Sequence, residues 1–273
     1  MPRAFAEAFK SYRLTRGRSS LKILRVRPLP SLSVIIPTLN EAPRIQSLVS
    51  ALLNQTLAPL EILVCDGDSD DDTARLAGQA GATVLKCERG TSRQRNFGAR
   101  KASGELLVFL DADDLPSPRF LEQVARSFQA FPFAIACPWF VARDAGFFVH
   151  AIYFAFNVGF SLGQSTLRTG SGVCLICPRD KFRAAGGFDE TMHLGEDVRL
   201  IRALCPRFGA HRHLWVPLET SGRRFANQGA WRLVGFYALI SPLILLGLWK
   251  PLQRLTYRAA PYRDRDENST SPE

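Results

Sequence analysis

Short apolar runs alternate with amphipathic stretches through the first half of the chain, and this alternation constrains the fold more than any other feature. Four runs have the length and the aliphatic content of buried strands: 32–37, 61–66, 83–86 and 106–110. Over 45–53, apolar residues recur every three or four positions, as on the buried face of a helix. Strands that alternate with helices are typical of a parallel sheet with helices on both faces.

The second half of the chain continues this pattern less regularly. Helices are expected after Pro118 and from Glu196, and strands are expected over 172–177 and 211–216. Together with the first half, these elements predict a doubly wound, Rossmann-like domain of the α/β class over 31–225. Its sheet is predicted to be mostly parallel.

Acidic residues follow two of the predicted strands at their carboxyl ends. Asp66 ends the second strand, and Asp111 and Asp113 follow the fourth. Ligands of an open parallel sheet bind beyond these ends, and neighbouring carboxylates repel unless a cation or hydrogen-bond donors compensate their charge. If the chain stays extended here, Asp111 and Asp113 share a face and can bind Mg²⁺ or Mn²⁺ together with a diphosphate. The alternative is a solvated loop or a helix cap.

Positive charge is concentrated at the start of the chain. The 273 residues carry a net charge of +10, and residues 1–30 contain eight basic side chains and one acid. Because little net charge remains for the rest of the chain, the composition does not favour nucleic acid as a partner. A basic arm over 1–30 is instead typical of a segment that lies on an anionic membrane surface.

Two further segments are strongly apolar. The 17 residues of 233–249 would form a helix of about 25 Å, shorter than the hydrocarbon core of about 30 Å, and tryptophan and basic residues border them at both ends. We therefore expect 226–260 to be membrane-associated, lying in the interface or re-entering at Pro242, with a buried core helix as the alternative and a disordered tail over 261–273. The aromatic stretch 147–160 is interpreted as core packing, or alternatively as a wall along the path of a lipid acceptor.

The order and spacing of several motifs resemble those of the glycosyltransferase family 2 enzymes, which have the GT-A fold. The resemblance covers roughly 31–225, and its motifs occupy 34–41, 64–73, 90–98, 111–113, 186–190 and 195–197. It implies a donor-binding half over 31–115 and an acceptor half over 116–225. Its expected architecture is a GT-A-type sheet followed by the hydrophobic C-terminal segment.

The resemblance also implies a substrate class and roles for individual residues. The donor would be a nucleotide-diphosphate sugar, with a UDP-sugar expected first. The residues implied for donor binding are Pro37, Thr38, Glu41, Asp66, Arg93, Asn96 and Asp111. Asp111 and Asp113 would bind the metal, and Asp197 would be the base that accepts the acceptor's proton, with inversion at the sugar carbon.

The sequence departs from the family pattern in two places. Gly67 stands where many relatives carry a second acid, so the contact of that acid is absent or is supplied by Asp68. The stretch 221–225 lacks the signature of processive relatives, which favours transfer of a single sugar.

Sugar transfer also requires stabilisation of the leaving diphosphate, for which arginines are suited. Arg223 and Arg224 are the predicted catalytic arginines, with a membrane-facing basic patch as the alternative. Arg93 and Arg95 are further candidates for this task, and a solvated helix face is the alternative for them.

The sequence therefore predicts a metal-dependent, inverting glycosyltransferase at the cytoplasmic face of a membrane. Its acceptor would be lipid-linked or a saccharide. Two alternatives remain open. One is a transferase that glycosylates a polyprenyl phosphate, whose oxygen is already ionised and needs no base. The other is a catalytically idle scaffold that binds a nucleotide at the membrane surface.

Overall fold

The computed structural model describes the following residues: 12–15, 22–25, 28–143, 145–164, 166–170, 172–222 and 230–254. Within these residues, the strands are β1 (Tyr12–Thr15), β2 (Lys22–Arg25), β3 (Leu32–Thr38), β4 (Glu61–Asp66), β5 (Thr83–Lys86), β6 (Leu106–Leu110), β7 (Leu115–Pro116), β8 (Ile135–Arg143), β9 (Cys174–Pro178) and β10 (His211–Ser221). The helices in the same residues are α1 (Ala42–Leu53), α2 (Thr73–Gln79), α3 (Thr91–Lys101), α4 (Phe120–Ala130), α5 (Phe147–Gly163), α6 (Arg179–Ala184), α7 (Glu196–Phe208), α8 (Ala230–Leu245) and α9 (Trp249–Arg254).

An eight-stranded sheet organises the domain, in the order β5-β4-β3-β6-β9-β8-β10-β7. The pairs β3 with β4, β3 with β6, β4 with β5, and β8 with β10 are parallel. Strand β9 is antiparallel to both of its neighbours, and β7 is antiparallel to β10. Strands β1 and β2 form a separate antiparallel hairpin. The carboxyl ends of β3, β4, β5 and β6 therefore meet at one edge of the sheet.

The predicted α/β class is confirmed, and the sheet is mixed: six of its eight strands run in one direction, as in a mostly parallel sheet, whereas β9 and β7 run in the other. Strand β9 runs against its neighbours in the middle of the sheet, so the sheet is mixed. All five residues of β9 are buried. A strand buried on both faces presents the same apolar run in either direction, so its sequence carries no signal for the direction in which it runs.

Two apolar cores cover the two faces of the sheet. Because successive strand residues point to opposite faces, Ile36 packs in the core that includes Leu48 of α1, whereas Ile35 packs in the core that includes Ala99 of α3. Helix α3 lies very close to the sheet, since a Cβ added at Gly98 would be 2.6 Å from Cγ2 of Ile35. This close approach fixes the arginines of α3 relative to the strand ends.

The aromatic stretch 147–160 lies in α5, and its interpretation as core packing is wrong for the outer face of that helix. Phe147 and Phe154 are exposed. The inner face is held by Asn157, a buried side chain that accepts a hydrogen bond from the N–H of Phe140 and donates one to its carbonyl oxygen. Helix α5 therefore packs on β8 with one side and presents aromatic rings to the outside with the other.

The apolar C-terminal segment forms α8 and α9. Of the helices described, none combines the length and apolar content that crossing a bilayer requires. The tail 261–273 and most of the arm 1–30 lie outside the described residues. Membrane association of 226–260 stays a prediction.

Candidate active site

A cleft of about 640 Å³ opens at the carboxyl ends of β4 and β5. Its lining residues are Gly67, Asp68, Lys86, Cys87, Glu88, Arg89 and Arg93. Three basic and two acidic side chains line the space together with the β4 loop, so the cleft suits a polar ligand. Arg93 is the predicted donor-binding residue that lines it directly.

Asp66 and Thr38 lie at the adjacent ends of β4 and β3, beside this cleft. Asp66 is buried and accepts hydrogen bonds from the hydroxyl and the backbone N–H of Ser69, at 2.5 and 3.1 Å. The Thr38 hydroxyl donates to the same carboxylate at 3.4 Å. Asp66 thus folds the β4 loop back on itself, and this loop forms one wall of the cleft.

Pro37 and Glu41 lie at the end of β3 and at the start of α1. Pro37 pairs in register with Cys65 across the β3–β4 ladder. The backbone N–H of Glu41 donates to the hydroxyl of Thr73 at 2.8 Å, and its carboxylate accepts a hydrogen bond from Arg44 at 3.1 Å. The predicted donor residues of β3 and β4 are thereby brought to one edge of the sheet.

Gln94 is a residue of this region that the sequence reasoning missed. Its amide nitrogen donates to the carbonyl oxygens of Thr38 and Cys65, both at 2.7 Å, and so ties the ends of β3 and β4 together. A Cβ at Gly67 would lie 3.0 Å from the same nitrogen. The absence of a side chain at Gly67 therefore leaves room for Gln94, which offers a structural reason for the departure from the second acid of many relatives.

Arg93 and Asn96 differ in their surroundings although both belong to α3. Arg93 is half-exposed and forms ion pairs with Glu88 at 3.0 Å and with Glu190 at 3.9 Å. Asn96 is buried, exchanges two hydrogen bonds of 2.9 Å with the backbone of Phe188, and donates to Glu190. Its side chain holds the loop before α7 in place. Its predicted role in donor binding stays a prediction.

The chain turns sharply after β6, and the expectation of an extended backbone through Asp111 and Asp113 is wrong. The backbone N–H of Asp114 donates to the carbonyl oxygen of Asp111 at 3.1 Å, and the N–H of Asp111 donates to Oδ2 of Asp114 at 2.9 Å. Aspartate favours such turns because its carboxylate can accept a backbone hydrogen bond. The two predicted metal ligands therefore stand on a turn, and the shared strand face assumed for them does not form.

Asp114 is the buried member of this acidic turn and was not among the predicted site residues. Burial, together with the charges of Asp111 and Asp113, raises the pKa of Asp114 well above its usual value. Its Oδ1 atom is buried without a hydrogen-bond partner among the described residues. Three carboxyl groups thus lie close together in one short turn.

Arg95 connects the acidic turn to the start of α7. Its side chain is only 3% exposed, and its Nη2 atom lies 2.7 Å from Oδ1 of Asp111 and 3.2 Å from the carbonyl oxygen of Gly172. Its Nη1 atom lies 3.7 Å from Oε1 of Glu196. The alternative of a solvated helix face is therefore wrong for Arg95, which is an internal bridge between the two acidic groups.

Asp197 lies in the first turn of α7, directly after Glu196. Its Oδ1 atom accepts a hydrogen bond from the N–H of Val198 at 2.8 Å, and a Cβ at Gly172 would lie 2.8 Å from its Oδ2 atom. Burial, followed by the charge of Glu196, raises the pKa of Asp197 to about 7. A carboxylate with a pKa near neutrality is suited to accept a proton in catalysis.

The described residues do not test two of the predictions about the site. Arg223 and Arg224 lie outside the described residues, so their catalytic role stays a prediction. In the part of the chain that the structure describes, no three histidine, cysteine or acidic side chains are grouped as ligands of a metal ion. Metal binding by Asp111 and Asp113 stays a prediction as well.

The chain is similar to known glycosyltransferases in sequence. It is 30% identical over 179 residues to the pre-mycofactocin glycosyltransferase of Mycobacterium tuberculosis, a match that covers 62% of this chain and 37% of the relative. It is 35% identical over 88 residues to the UDP-Glc:alpha-D-GlcNAc-diphosphoundecaprenol beta-1,3-glucosyltransferase WfgD of Escherichia coli, covering 30% and 35% of the two chains. The matches thus span little more than a third of the length of these relatives.

The fold is shared with a solved structure that contains a donor and a metal ion. The mannosyltransferase PcManGT from Pyrobaculum calidifontis, in complex with GDP-Man and Mn²⁺, superposes with a TM-score of 0.61 at 24% identity, over 75% of this chain and 60% of that chain. The model of the glycosyl transferase family 2 matches residues 33–175, more than half of the sequence, from β3 into β9. The resemblance in the motifs is thereby confirmed, and the chain belongs to glycosyl transferase family 2.

Proposed function

We propose that this protein transfers a single sugar from a nucleotide-diphosphate sugar to a hydroxyl group, with inversion at the sugar carbon. The observation that carries the proposal is the position of Asp197. Its pKa is raised to about 7, and Arg95 bridges from Glu196 beside it to Asp111 at the end of β6. A proton acceptor and the acidic turn of the donor side thus belong to one connected site.

In the proposed reaction, the acceptor oxygen forms a bond to the anomeric carbon while the bond from that carbon to the phosphate oxygen breaks. The electron pair of the broken bond leaves with the nucleoside diphosphate. The proton of the acceptor hydroxyl moves to the carboxylate of Asp197. Attack from the side opposite the leaving group inverts the anomeric configuration.

The oxygen-only donor set of the acidic turn fits a hard divalent cation. Asp111 and Asp113 would hold Mg²⁺ or Mn²⁺, and oxygens of the donor's diphosphate would complete the coordination. The Oδ1 atom of Asp114, which is buried without a hydrogen-bond partner among the described residues, supports this fit, and the charges of Asp111 and Asp113 add to the effect of burial in raising the pKa of Asp114 beside them. When bound, the ion would supply positive charge that stabilises the leaving diphosphate.

The proposed donor is a UDP-sugar that occupies the cleft at β4 and β5. The polar lining of the cleft suits a nucleotide, and Arg93 at its edge can contact a phosphate. UDP-Glc in the name of the E. coli relative supports a uridine nucleotide, whereas GDP-Man is bound in the structural neighbour. An experiment therefore first has to determine which nucleobase and which sugar the donor carries.

The proposed acceptor is a lipid-linked sugar or a saccharide at the cytoplasmic face of a membrane. The diphosphoundecaprenol in the name of the E. coli relative supports a lipid-linked acceptor. The raised pKa of Asp197 favours a hydroxyl as the attacking group, because a polyprenyl phosphate is already ionised and would need no base.

The proposal is tested with UDP-glucose, UDP-GlcNAc and GDP-mannose, each with and without Mn²⁺. We expect the preferred donor to raise the melting temperature only when Mn²⁺ is present, since a ligand stabilises the folded state to which it binds. Transfer should then require Mn²⁺ and should be lost in Asp113→Ala, whose melting temperature without ligand stays unchanged. Full transfer after the metal is chelated would contradict the metal dependence.

The same assay distinguishes the proposal from its two alternatives, transfer to a polyprenyl phosphate and nucleotide binding without catalysis. Asp197→Asn should slow transfer to a hydroxyl acceptor at least about 10²-fold, and a small loss of rate would favour a phosphate acceptor instead. Donor binding without transfer or hydrolysis for every donor would contradict the enzymatic proposal and favour a nucleotide-binding scaffold.

A further inference from the structure

The outer face of α5 is exposed and apolar along its whole length. Phe154 is 61% exposed and Leu162 is 77% exposed, and Phe147 is exposed at the start of the helix. These residues follow one another at spacings of seven and eight, which places them on a single stripe of the helix. His150 is a polar side chain that also faces outward. Large exposed apolar patches mark sites of interaction.

Helix α8 carries a second exposed stripe and packs beside α5. Trp231 is exposed at the start of the helix, Leu239 is 60% exposed, and Leu246, which directly follows the last residue of the helix, is 73% exposed. The rings of Phe148 and Trp231 lie 5.0 Å apart, and those of Phe156 and Tyr237 lie 5.7 Å apart. We call the two stripes together the apolar face, which comprises Phe147, Phe154, Leu162, Trp231, Leu239 and Leu246.

The charged side chains of the two chain segments that carry the apolar face are of one sign. No aspartate or glutamate occurs in 145–178 or in 230–254. Arg232 and Lys250 in the second of these stretches are exposed, as is Arg168 in the first. Apolar and aromatic side chains combined with basic residues, without acids, are typical of helices that lie in the interface of an anionic membrane.

We propose that the apolar face binds to the surface of an anionic lipid bilayer. Helix α5 is fixed to β8 through Asn157, so one of its sides is committed to the protein and the other can enter the lipid interface. A second copy of this chain fits the face less well, because an isologous contact would bring the basic residues of both copies together.

Helix α9, which follows the apolar face in the chain, contacts the loop over 193–195 that precedes Asp197. Gln253 of α9 accepts a hydrogen bond from the N–H of His193 at 2.7 Å and donates to the carbonyl oxygen of Leu194 at 2.8 Å. A Cβ at Gly195 would lie 3.2 Å from Trp249 and from Leu252. Because Asp197 follows two residues later, binding of α8 and α9 to lipid would hold the base close to a lipid-linked acceptor. The role of lipid binding in positioning Asp197 rests on the proposed function, whereas lipid binding itself does not.

The test is sedimentation of the 273-residue chain with vesicles of phosphatidylcholine alone or mixed with phosphatidylglycerol, without any donor. The variant Phe154→Ser/Leu162→Ser and the variant Leu239→Ser/Leu246→Ser each remove two exposed side chains, so that the fold is retained. We expect each to lower the partition coefficient for the anionic vesicles at least about tenfold, since exposed apolar area drives such binding. Leu60→Ser is the control, because Leu60 is 56% exposed directly before β4, away from the apolar face; it should bind like the wild type.

Two outcomes overturn the proposal. If both variants bind anionic vesicles as the wild type does, the basic arm 1–30 accounts for lipid binding and the apolar face does not. If the wild type is a dimer without vesicles and the variants are monomers, the apolar face is an interface between copies. Transfer to a water-soluble acceptor is measured on the same samples, so that failure of lipid binding is distinguished from failure of the proposed reaction.

Discussion

At the scale of single residues, the protonation of Asp197 controls the proposed reaction. Its pKa is raised to about 7, so the carboxylate form decreases as the pH falls below neutrality. We expect kcat to fall about tenfold per pH unit below pH 7 and to be constant above pH 8, because the proton acceptor must be ionised. The measurement is the rate at which nucleoside diphosphate is released in the presence of the acceptor, between about pH 5 and about pH 9.

Asp197→Asn should lower kcat about 10²-fold to 10⁴-fold and remove this pH dependence. Asp180→Asn is the matched control, because Asp180 is an exposed acid in the first turn of α6. If the pH dependence persists in Asp197→Asn, it arises from the titration of another group, which would contradict the prediction.

Arg95 is a buried cation between two acidic groups, and its removal takes away the positive charge that both groups contact. We expect Arg95→Gln to lower the free energy of unfolding by about 3–5 kcal/mol, as is typical when one partner of a buried ion pair is lost. The charge of Arg95 also lowers the pKa of Asp197. In the variant that pKa should rise further, and the acid limb of the rate profile should move to higher pH.

Chemical denaturation measures the first effect and the pH–rate profile measures the second. Arg93→Gln provides the comparison on the same helix, because Arg93 is half-exposed and its ion pairs contribute less than about 1 kcal/mol to stability. Equal loss of stability in the two variants would contradict the internal role of Arg95.

The residue types of the site could be predicted from the sequence, but most of their contacts could not. The acids at the ends of β4 and β6 are recognisable because they follow apolar strands. Apart from Asp111, the residues that contact Arg95 and Asn96 lie more than seventy positions later in the chain. No local sequence pattern connects these residues with α3. The acidic turn did have a local signal, because consecutive aspartates favour turns over extended chain.

At the scale of elements, the close packing of α3 on the sheet determines where its side chains lie. A methyl group at Gly98 would meet Cγ2 of Ile35 at 2.6 Å and Sγ of Cys65 at 2.7 Å. We expect Gly98→Ala to destabilise the protein by about 1–3 kcal/mol, because the core has no room for it. Thermal and chemical denaturation measure the loss.

Gly159→Ala is the matched control for this prediction. Gly159 is also inside a helix, α5, but a methyl group there would meet nothing within 4 Å. Alanine in a helix interior is favoured over glycine by about 0.5–1 kcal/mol, so this variant should be slightly more stable than the wild type. Equal effects of the two substitutions would show that backbone propensity, and not packing, determines the result at Gly98.

The bounds of three strands in the first half of the chain follow from local sequence, whereas the direction of the central strand does not. Strands β4, β5 and β6 begin and end where the apolar runs predict. Strand β9 is antiparallel because of the path that the chain takes through α5 and the residues after it. That path depends on long-range packing such as the hydrogen bonds of Asn157 to β8.

At the scale of the whole molecule, the donor side and the proton acceptor come from opposite halves of the sequence. The acidic turn follows β6, whereas Asp197 lies in α7, and Arg95 spans the distance between them. The helices at the C-terminal end add a third contribution, because α9 contacts the loop that precedes α7. Changes far from the reacting groups can therefore alter the position of the base.

Substitution of Gln253 tests whether the contact between α9 and the loop over 193–195 positions Asp197. In Gln253→Ala, the loop over 193–195 loses two hydrogen bonds, each of which contributes about 0.5–1.5 kcal/mol. We expect kcat with a water-soluble acceptor to fall about threefold to tenfold, because the base is less well positioned. The KM for the donor should stay unchanged, because the cleft at β4 and β5 is not touched. Gln79→Ala, at an exposed glutamine of α2, is the control, and an altered donor KM in Gln253→Ala with unchanged kcat would contradict the connection.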